Sequence, residues 1–389
     1  MTKLWLLAAR CLMVMVMVML TAPSQAVIVG AERSSEYHAL LAGKRLALIV
    51  NQSSRVGDQH LVDYLLGEGH QIVRLLAPEH GFRGNVGAGE RIDDSVDSRT
   101  GIPIMSLYGA HKKPTPAMLA DIDYVIVDLQ DVGTRFYTYL STLHYAIEAA
   151  AEQRIPLLVL DRPNPNGGFI DGPVLEPEFR SFVGMHEIPL LHGMTLGELA
   201  LMIVGEGWVN AAEHADVQVS SMRDYQRQQR YSLPIPPSPN LPNTQAVQLY
   251  PSLCLFEATA MSIGRGTEFP FQVLGHHQVH LGDFSFTPRS LPTSAPTPKL
   301  QDQLLHGLDL RDSAISGFDL SLLISAHAAF KAANLSFFTS PDFMDKLSGT
   351  NKLRLAIEAG LSVEQIRAQW QPQLDEFKQL RQRYLLYPD

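Results

Sequence analysis

Along the first half of the chain, apolar residues come in short unbroken runs rather than in strict alternation. Runs at 45–50, 72–76, 102–107, 124–129 and 157–160 are apolar at most positions. A strand without alternation is covered on both faces, as in a parallel sheet held between helical layers. Between the last two runs the period changes, and Leu140, Leu143, Ile147 and Ala150 fall at helical spacing within 139–151. A shorter helical stretch, 61–66, follows the first run. This order predicts an α/β fold, a Rossmann-like, doubly wound domain with a mainly parallel sheet.

The pattern continues through a helix opened by Thr195 and Glu198, which make a capping box, and a strand over 217–219. Pro234, Pro236, Pro237 and Pro239 then exclude both a helix interior and a central strand. The first domain is therefore expected over 27–240 and a smaller α+β domain over 241–389. The second has strand-like pieces over 279–286, a Pro/Ser/Thr-rich loop over 288–298, and helices over 320–332 and 364–384. The active site is expected in the cleft between the two.

The first 26 residues read differently. Lys3 and Arg10 are basic, 12–20 is an apolar core, and Ser24-Gln25-Ala26 fits a small-x-small cleavage site. This reads as an export signal cut after Ala26, which would place the mature chain in the periplasm or outside the cell; the competing reading is an uncleaved amino-terminal anchor. Its apolar run is shorter than the ~20 residues of a spanning helix, and no later segment is a transmembrane candidate. The 389 residues carry a formal charge of −9, and loss of Lys3 and Arg10 makes it more negative. That balance argues against nucleic acid as a partner. Of the two cysteines, Cys11 leaves with the signal and Cys254 remains alone, so neither an intramolecular disulfide nor a thiolate metal cluster is available.

Several predicted strands run into polar loops at the carboxyl edge of the sheet, where open α/β folds bind ligands. The second is followed by Pro78-Glu79-His80-Gly81-Phe82-Arg83-Gly84 and then Gly87-Ala88-Gly89-Glu90. Two carboxylates near a cleft suit glycoside hydrolysis, one protonated as general acid and the other ionised as base or nucleophile. The alternative is that Glu79 and His80 cap the next element and Glu90 is a solvated loop charge. Gly84, Gly87 and Gly89 lack the dinucleotide spacing and no Walker lysine follows, so no nucleotide cofactor is expected.

The fourth strand leads into Asp128, Asp131, Gly133, Arg135 and Tyr137. The planar fork of Arg135 suits a substrate carboxylate, or else an Asp–Arg pair fixes the loop. Asn164, within Asp161-Arg162-Pro163-Asn164-Pro165, is a further candidate that turn chemistry would explain equally well. His192 stands just before a helix start. In the second domain Arg265 and Glu268 flank glycine in Gly264-Arg265-Gly266-Thr267-Glu268, as a cleft-facing loop or a self-contained salt bridge. His276, His277 and His280 lack the spacing of a zinc site, and no metal is expected.

Taken in order, Asn51-Gln52, Ala77-Pro78-Glu79-His80-Gly81, Gly89-Glu90, Ser106-Leu107-Tyr108-Gly109, the stretch 128–139, Asp161-Arg162-Pro163-Asn164-Pro165, His192-Gly193-Met194-Thr195, Pro237-Ser238-Pro239-Asn240 and Gly264-Arg265-Gly266-Thr267 resemble one family. It is that of the NamZ-type exo-β-N-acetylmuramidases, formerly of unknown function. The resemblance implies release of non-reducing terminal N-acetylmuramic acid from peptidoglycan fragments, without a nicotinamide cofactor. It carries the catalytic carboxylate to Glu90, with Glu79 next, and leaves the partner open among Glu79, Asp131 and Glu268.

The lactyl carboxylate of this sugar calls for local cations in an acidic protein; Arg135 and Arg265 are the candidates, with His80 as hydrogen-bond donor. The N-acetyl group could itself be the nucleophile, one carboxylate then serving as acid and another orienting the amide. The stretch 255–259 departs from the family pattern, and Glu257 is given no role. The alternative function is a periplasmic protein that holds muropeptides without cleaving them. A metal-dependent amidase or esterase is a third reading, and a serine hydrolase is disfavoured by the missing Gly-x-Ser-x-Gly elbow.

Overall fold

The computed structural model describes residues 26–79, 81–82, 94–109 and 111–388. The segment expected to be an export signal lies outside the described residues, apart from Ala26. None of the described helices is long and apolar enough to cross a membrane.

The central sheet has seven strands. Its parallel members are β1 (Arg45–Val50), β4 (Gln71–Ala77), β6 (Pro103–Ser106), β7 (Tyr124–Asp128), β8 (Leu157–Leu160) and β11 (Val217–Ser220). A short hairpin, β2–β3 (Arg55–Val56 and Gln59–His60), follows β1, and β5 (Ser95–Val96) pairs antiparallel on the edge. The spatial order is β11-β8-β7-β1-β4-β6-β5, so the chain reverses direction across the sheet at β1. Ignoring the edge strand, this is the doubly wound dinucleotide-fold order, and its switch-point crevice opens between the carboxyl ends of β1 and β7. Val50 lies opposite Asp128 there.

Burial explains the unbroken apolar runs. Leu46, Leu48 and Val50 join one core cluster with Leu61, Leu65 and Ile126, while Ala47 and Ile49 join another with Leu140, Leu143 and Leu199. Successive side chains of β1 thus face opposite layers, and both layers are apolar. Helix α1 (Leu61–Gly67) packs in the first layer; α2 (Tyr139–Gln153) and α3 (Leu196–Gly205) pack in the second. Thr195 opens α3 with the expected capping box, and Asp161 at the end of β8 accepts from the Thr195 hydroxyl at 2.7 Å and the Gly197 N–H at 2.8 Å.

The second layer does not stop at residue 240. Its apolar cluster continues through α4 (Thr244–Leu253) and the C-terminal helices α5 (Ser321–Ala332), α6 (Pro341–Ser348), α7 (Lys352–Glu358), α8 (Val363–Ala368) and α9 (Gln371–Arg381). A three-stranded antiparallel sheet, β12-β14-β13, completes this half with β12 (Val273–His276), β13 (Phe284–Phe286) and β14 (Leu305–Asp309). The strand expected over 279–286 is confined to its last three residues. The single helix expected over 364–384 is two, because Pro372 lacks an N–H and sits at the start of α9 rather than inside a longer helix. The chain end returns to the first half: the Tyr387 hydroxyl donates to Asp161 at 2.6 Å and accepts from the Met222 N–H at 2.9 Å.

Candidate active site

The loop after β4 places Glu79, 8% exposed, at the carboxyl edge of the sheet. Thr138, immediately before α2, donates its hydroxyl to the Glu79 carboxylate at 2.6 Å. Tyr108, beyond β6, is hydrogen-bonded to the same carboxylate, and burial together with that negative neighbour raises the phenol pKa. Glu79 is thereby held by hydroxyls from two different strand ends. Tyr139, the first residue of α2, accepts from the Asn51 amide at 2.7 Å, so the loop after β1 is tied into the same crevice.

The proline-rich stretch closes one side. Prolines offer no N–H, so the backbone of Pro236 and Pro237 can meet its neighbours only as an acceptor. The Tyr137 hydroxyl donates to the Pro237 carbonyl at 3.0 Å, and the Gln52 amide donates to the Pro236 and Pro237 carbonyls at 3.0 and 3.2 Å.

A cavity of about 630 Å³ lies above these groups, with walls from both halves of the chain. Glu79, Tyr108, Tyr137, Thr138 and Phe182 line it from the first half, and Tyr250, Glu257, Arg265, Phe271 and Lys299 from the second. The volume falls in the range of small-molecule sites. The rings of Tyr137 and Tyr250 meet edge to face at 5.9 Å, making a rigid aromatic floor. Glu257 and Arg265 form an ion pair at 2.6 Å, with the guanidinium also 4.9 Å over the Phe271 ring. Lys299 donates to the carbonyls of Phe256 at 3.3 Å, Glu257 at 3.1 Å and Thr259, and burial lowers its pKa. Cys254 also lines the cavity, but burial pushes its thiol up to about 12, which leaves no thiolate for nucleophilic chemistry.

A second hollow of about 700 Å³ lies beside the β2–β3 hairpin, lined by Gln52, Arg55, Asp58 and Asp63 among others. Its Asp63 is paired with Arg99 at 3.1 Å, and no wall comes from the C-terminal half. The first cavity is the one at which both halves and two carboxylates converge. Among the described residues, no group of three or more His, Cys, Asp or Glu side chains is placed to hold a metal ion.

Several sequence expectations need correction. Arg135 does not face the cavity. It is fully buried, and its guanidinium donates to the carbonyls of Pro173 (2.8 Å), Ile188 (2.7 Å), Leu347 (3.2 Å) and Ser348 (2.6 Å). The fork that suits a carboxylate here ties a hairpin, β9 (Asp171–Val174) and β10 (Pro189–Leu191), to the end of α6. His192 is equally buried, and burial beside Arg135, Arg381 and Arg227 lowers its pKa to about 3; its Nδ1 accepts from the Met194 N–H. Asn164 is a scaffold residue, donating to the Met194 carbonyl at 2.9 Å and accepting from the Asn166 N–H at 2.8 Å.

Asp131 is buried beneath the site rather than lining it. It accepts from the Gly133 N–H at 2.7 Å, and burial raises its pKa to about 7. Glu268 is exposed and outside the cavity lining. Arg265 pairs with Glu257 instead, because Gly264 and Gly266, both at φ of 81°, turn the loop between them. Tyr137 and Arg265 do line the cavity, as does Glu257, which the sequence reading had left without a role. His80 and Glu90 lie outside the described residues.

Comparison with known proteins points one way. Family models described as the N-terminal and C-terminal parts of the exo-β-N-acetylmuramidase NamZ match residues 46–245 and 248–387. A peptidoglycan β-N-acetylmuramidase NamZ from Bacillus subtilis (strain 168) is 40% identical over 377 residues, covering 90% of this chain and 89% of that protein. Crystal structures of two DUF1343 family proteins from Bacteroides fragilis NCTC 9343 share the fold. One is 44% identical with a TM-score of 0.85, covering 94% of this chain and all of that one. The other is 30% identical with a TM-score of 0.81, covering 93% and 99%.

Proposed function

The chain belongs to the exo-β-N-acetylmuramidase NamZ family, and from that membership we infer that it is an exo-acting glycoside hydrolase releasing non-reducing terminal N-acetylmuramic acid from peptidoglycan fragments. The structural observation that carries the reading is the cavity shared by both halves, in which Glu79 is fixed by two hydroxyls and Glu257 by Arg265. Hydrolysis of a glycosidic bond passes through an oxocarbenium-like transition state and needs carboxyl groups on either side of the anomeric carbon, or one carboxyl group and the substrate's own N-acetyl oxygen. Aromatic walls supply a surface for the sugar ring, and an oriented carboxylate accepts a hydrogen bond from a sugar hydroxyl or from the acetamido N–H.

The family resemblance carries the catalytic carboxylate to Glu90, eleven residues after Glu79 in the chain, and we take Glu90 as the general acid. In this reading Glu79 orients the acetamido group and Glu257 is a further polar contact at the rim. Export to the periplasm belongs to the same proposal. It is supported by the basic, apolar and small-residue order of residues 1–26, and amino-terminal sequencing of the mature protein should begin at Val27.

The test is release of free N-acetylmuramic acid from a chromogenic muramide, beside the matching N-acetylglucosaminide, for wild type, Glu90→Gln and Glu79→Gln. Muramide-selective turnover that collapses in Glu90→Gln is expected. Absence of turnover from a well-folded wild type would replace the hydrolase with a muropeptide-binding protein, and full activity in Glu90→Gln would move the general acid to Glu79 or Glu257.

A further inference from the structure

We propose that Lys112 is the residue that recognises the lactyl carboxylate of the muramyl unit, and so sets the preference for that sugar over its glucosamine counterpart. The proposal rests on the muramidase reading above. N-Acetylmuramic acid differs from N-acetylglucosamine by one lactyl ether, and the ether carries the only charge on the sugar. Selection between the two is therefore a question of which cation in the cavity is available to that charge.

Among the described residues, three cations line the cavity: Lys112, Arg265 and Lys299. Arg265 is neutralised by Glu257 at 2.6 Å. Lys299 is directed into the carbonyls of Phe256, Glu257 and Thr259. Lys112 has no carboxylate within ion-pair distance among the described residues, and its ammonium stands 4.3 Å from the centre of the Phe182 ring. A cation held over a ring keeps its charge and its donors while its position is fixed. Phe182 is itself held, with Tyr145 stacked at 6.3 Å and Tyr108 at 6.1 Å.

The neighbouring lysine shows that this exposure is not general to the loop. Lys113 donates to Glu148 at 2.6 Å and Glu152 at 2.7 Å on α2, so its charge is balanced away from the cavity. Of two adjacent lysines, one fastens the loop and the other is presented to the site. Tyr108 lies between the two charges at work, hydrogen-bonded to Glu79 and in ring contact with Phe182. A sugar bound with its acetamido side toward Glu79 would have an anionic substituent within the reach of a flexible four-carbon side chain.

The experiment uses the full chain and two probes, a chromogenic muramide and the same compound with its lactyl carboxylate masked as a methyl ester. In wild type kcat/KM should favour the free carboxylate by about tenfold, the size of one charge-assisted contact at a partly desolvated position. The ratio should fall to about one in Lys112→Met, through KM rather than kcat, and recover in Lys112→Arg. It should also shrink in wild type as salt is raised. A wild-type ratio near one, or a ratio unaltered in Lys112→Met, overturns the assignment while leaving the glycosidase intact. A wild type that turns over neither probe overturns the assignment together with the muramidase reading.

Discussion

Arg135 offers the sharpest test of the fold's internal logic, because sequence and structure give it opposite jobs. Arg135→Met keeps much of the side chain's length and removes four hydrogen bonds to carbonyl oxygens. The Ile188 carbonyl retains the Leu175 N–H at 3.2 Å and the Pro173 carbonyl retains the Leu190 N–H of the β9–β10 ladder, so the loss falls chiefly on Leu347 and Ser348. A buried carbonyl left without a donor costs about 1–3 kcal/mol. Part of that is offset because no guanidinium need be desolvated where no carboxylate compensates it. A net loss of about 3 kcal/mol follows, which in a chain of this size lowers the melting temperature by about 4 °C. Scanning calorimetry, with muramide kinetics on the protein still folded at 20 °C, separates the two jobs. A variant melting within about 2 °C of wild type but with KM raised tenfold would refute the structural role and return Arg135 to the substrate.

Three further outcomes follow from the same geometry. Thr138→Val removes one of the two hydroxyls that hold Glu79 and should lower kcat on the muramide about tenfold with KM little changed; an unchanged kcat would show that Glu79 does not depend on Thr138 for its orientation. Asp131 has a folded pKa of about 7, above the unfolded value of about 3.9, so the native state takes up a proton between those values and stability declines as pH rises through that window. Asp131→Asn cannot titrate, and its melting temperature relative to wild type should therefore rise between pH 5 and pH 8, by an amount corresponding to at most about 3 kcal/mol; equal differences at both pH values would place the carboxyl in contact with water. Gly349→Ala puts a Cβ 2.5 Å from the Arg135 guanidinium at a residue with φ of 80°, and a loss of about 2 kcal/mol should appear as a melting temperature about 3 °C lower; an unshifted melt would mean that the end of α6 relaxes freely.

The parallel sheet was legible because burial on both faces leaves a one-dimensional mark: every residue of β7 and β8 is buried, and both are apolar almost throughout. Elements made from a few residues leave no such mark. The β9–β10 hairpin has strands of four and three residues with Pro and Gly among them, and α4 contains Pro251, which by itself argues against a helix. At the site, Glu79 and Tyr137 were readable because they follow strand ends. Arg135 was misread because a guanidinium is equally at home on a carboxylate and on carbonyls, and its acceptors lie 38 to 213 residues away. Pairing Arg265 with Glu268 followed nearness in sequence, whereas its partner lies eight residues upstream on the far side of a glycine turn.

The proline-rich stretch, which in sequence has the look of a flexible joint, is a fixed spacer in the folded protein. Its carbonyls are bound from below by Gln52 and Tyr137, and its neighbours Ser238 and Asn240 face the cavity. Pyrrolidine rings hold φ near −65° whether or not anything is bound, so little of this wall's freedom remains to be lost when a sugar arrives. The distance between the two sides of the cleft is accordingly a property of the chain before substrate enters. Recognition then resembles a measurement against a ruler, in which a ring of the right thickness meets a wall already in place.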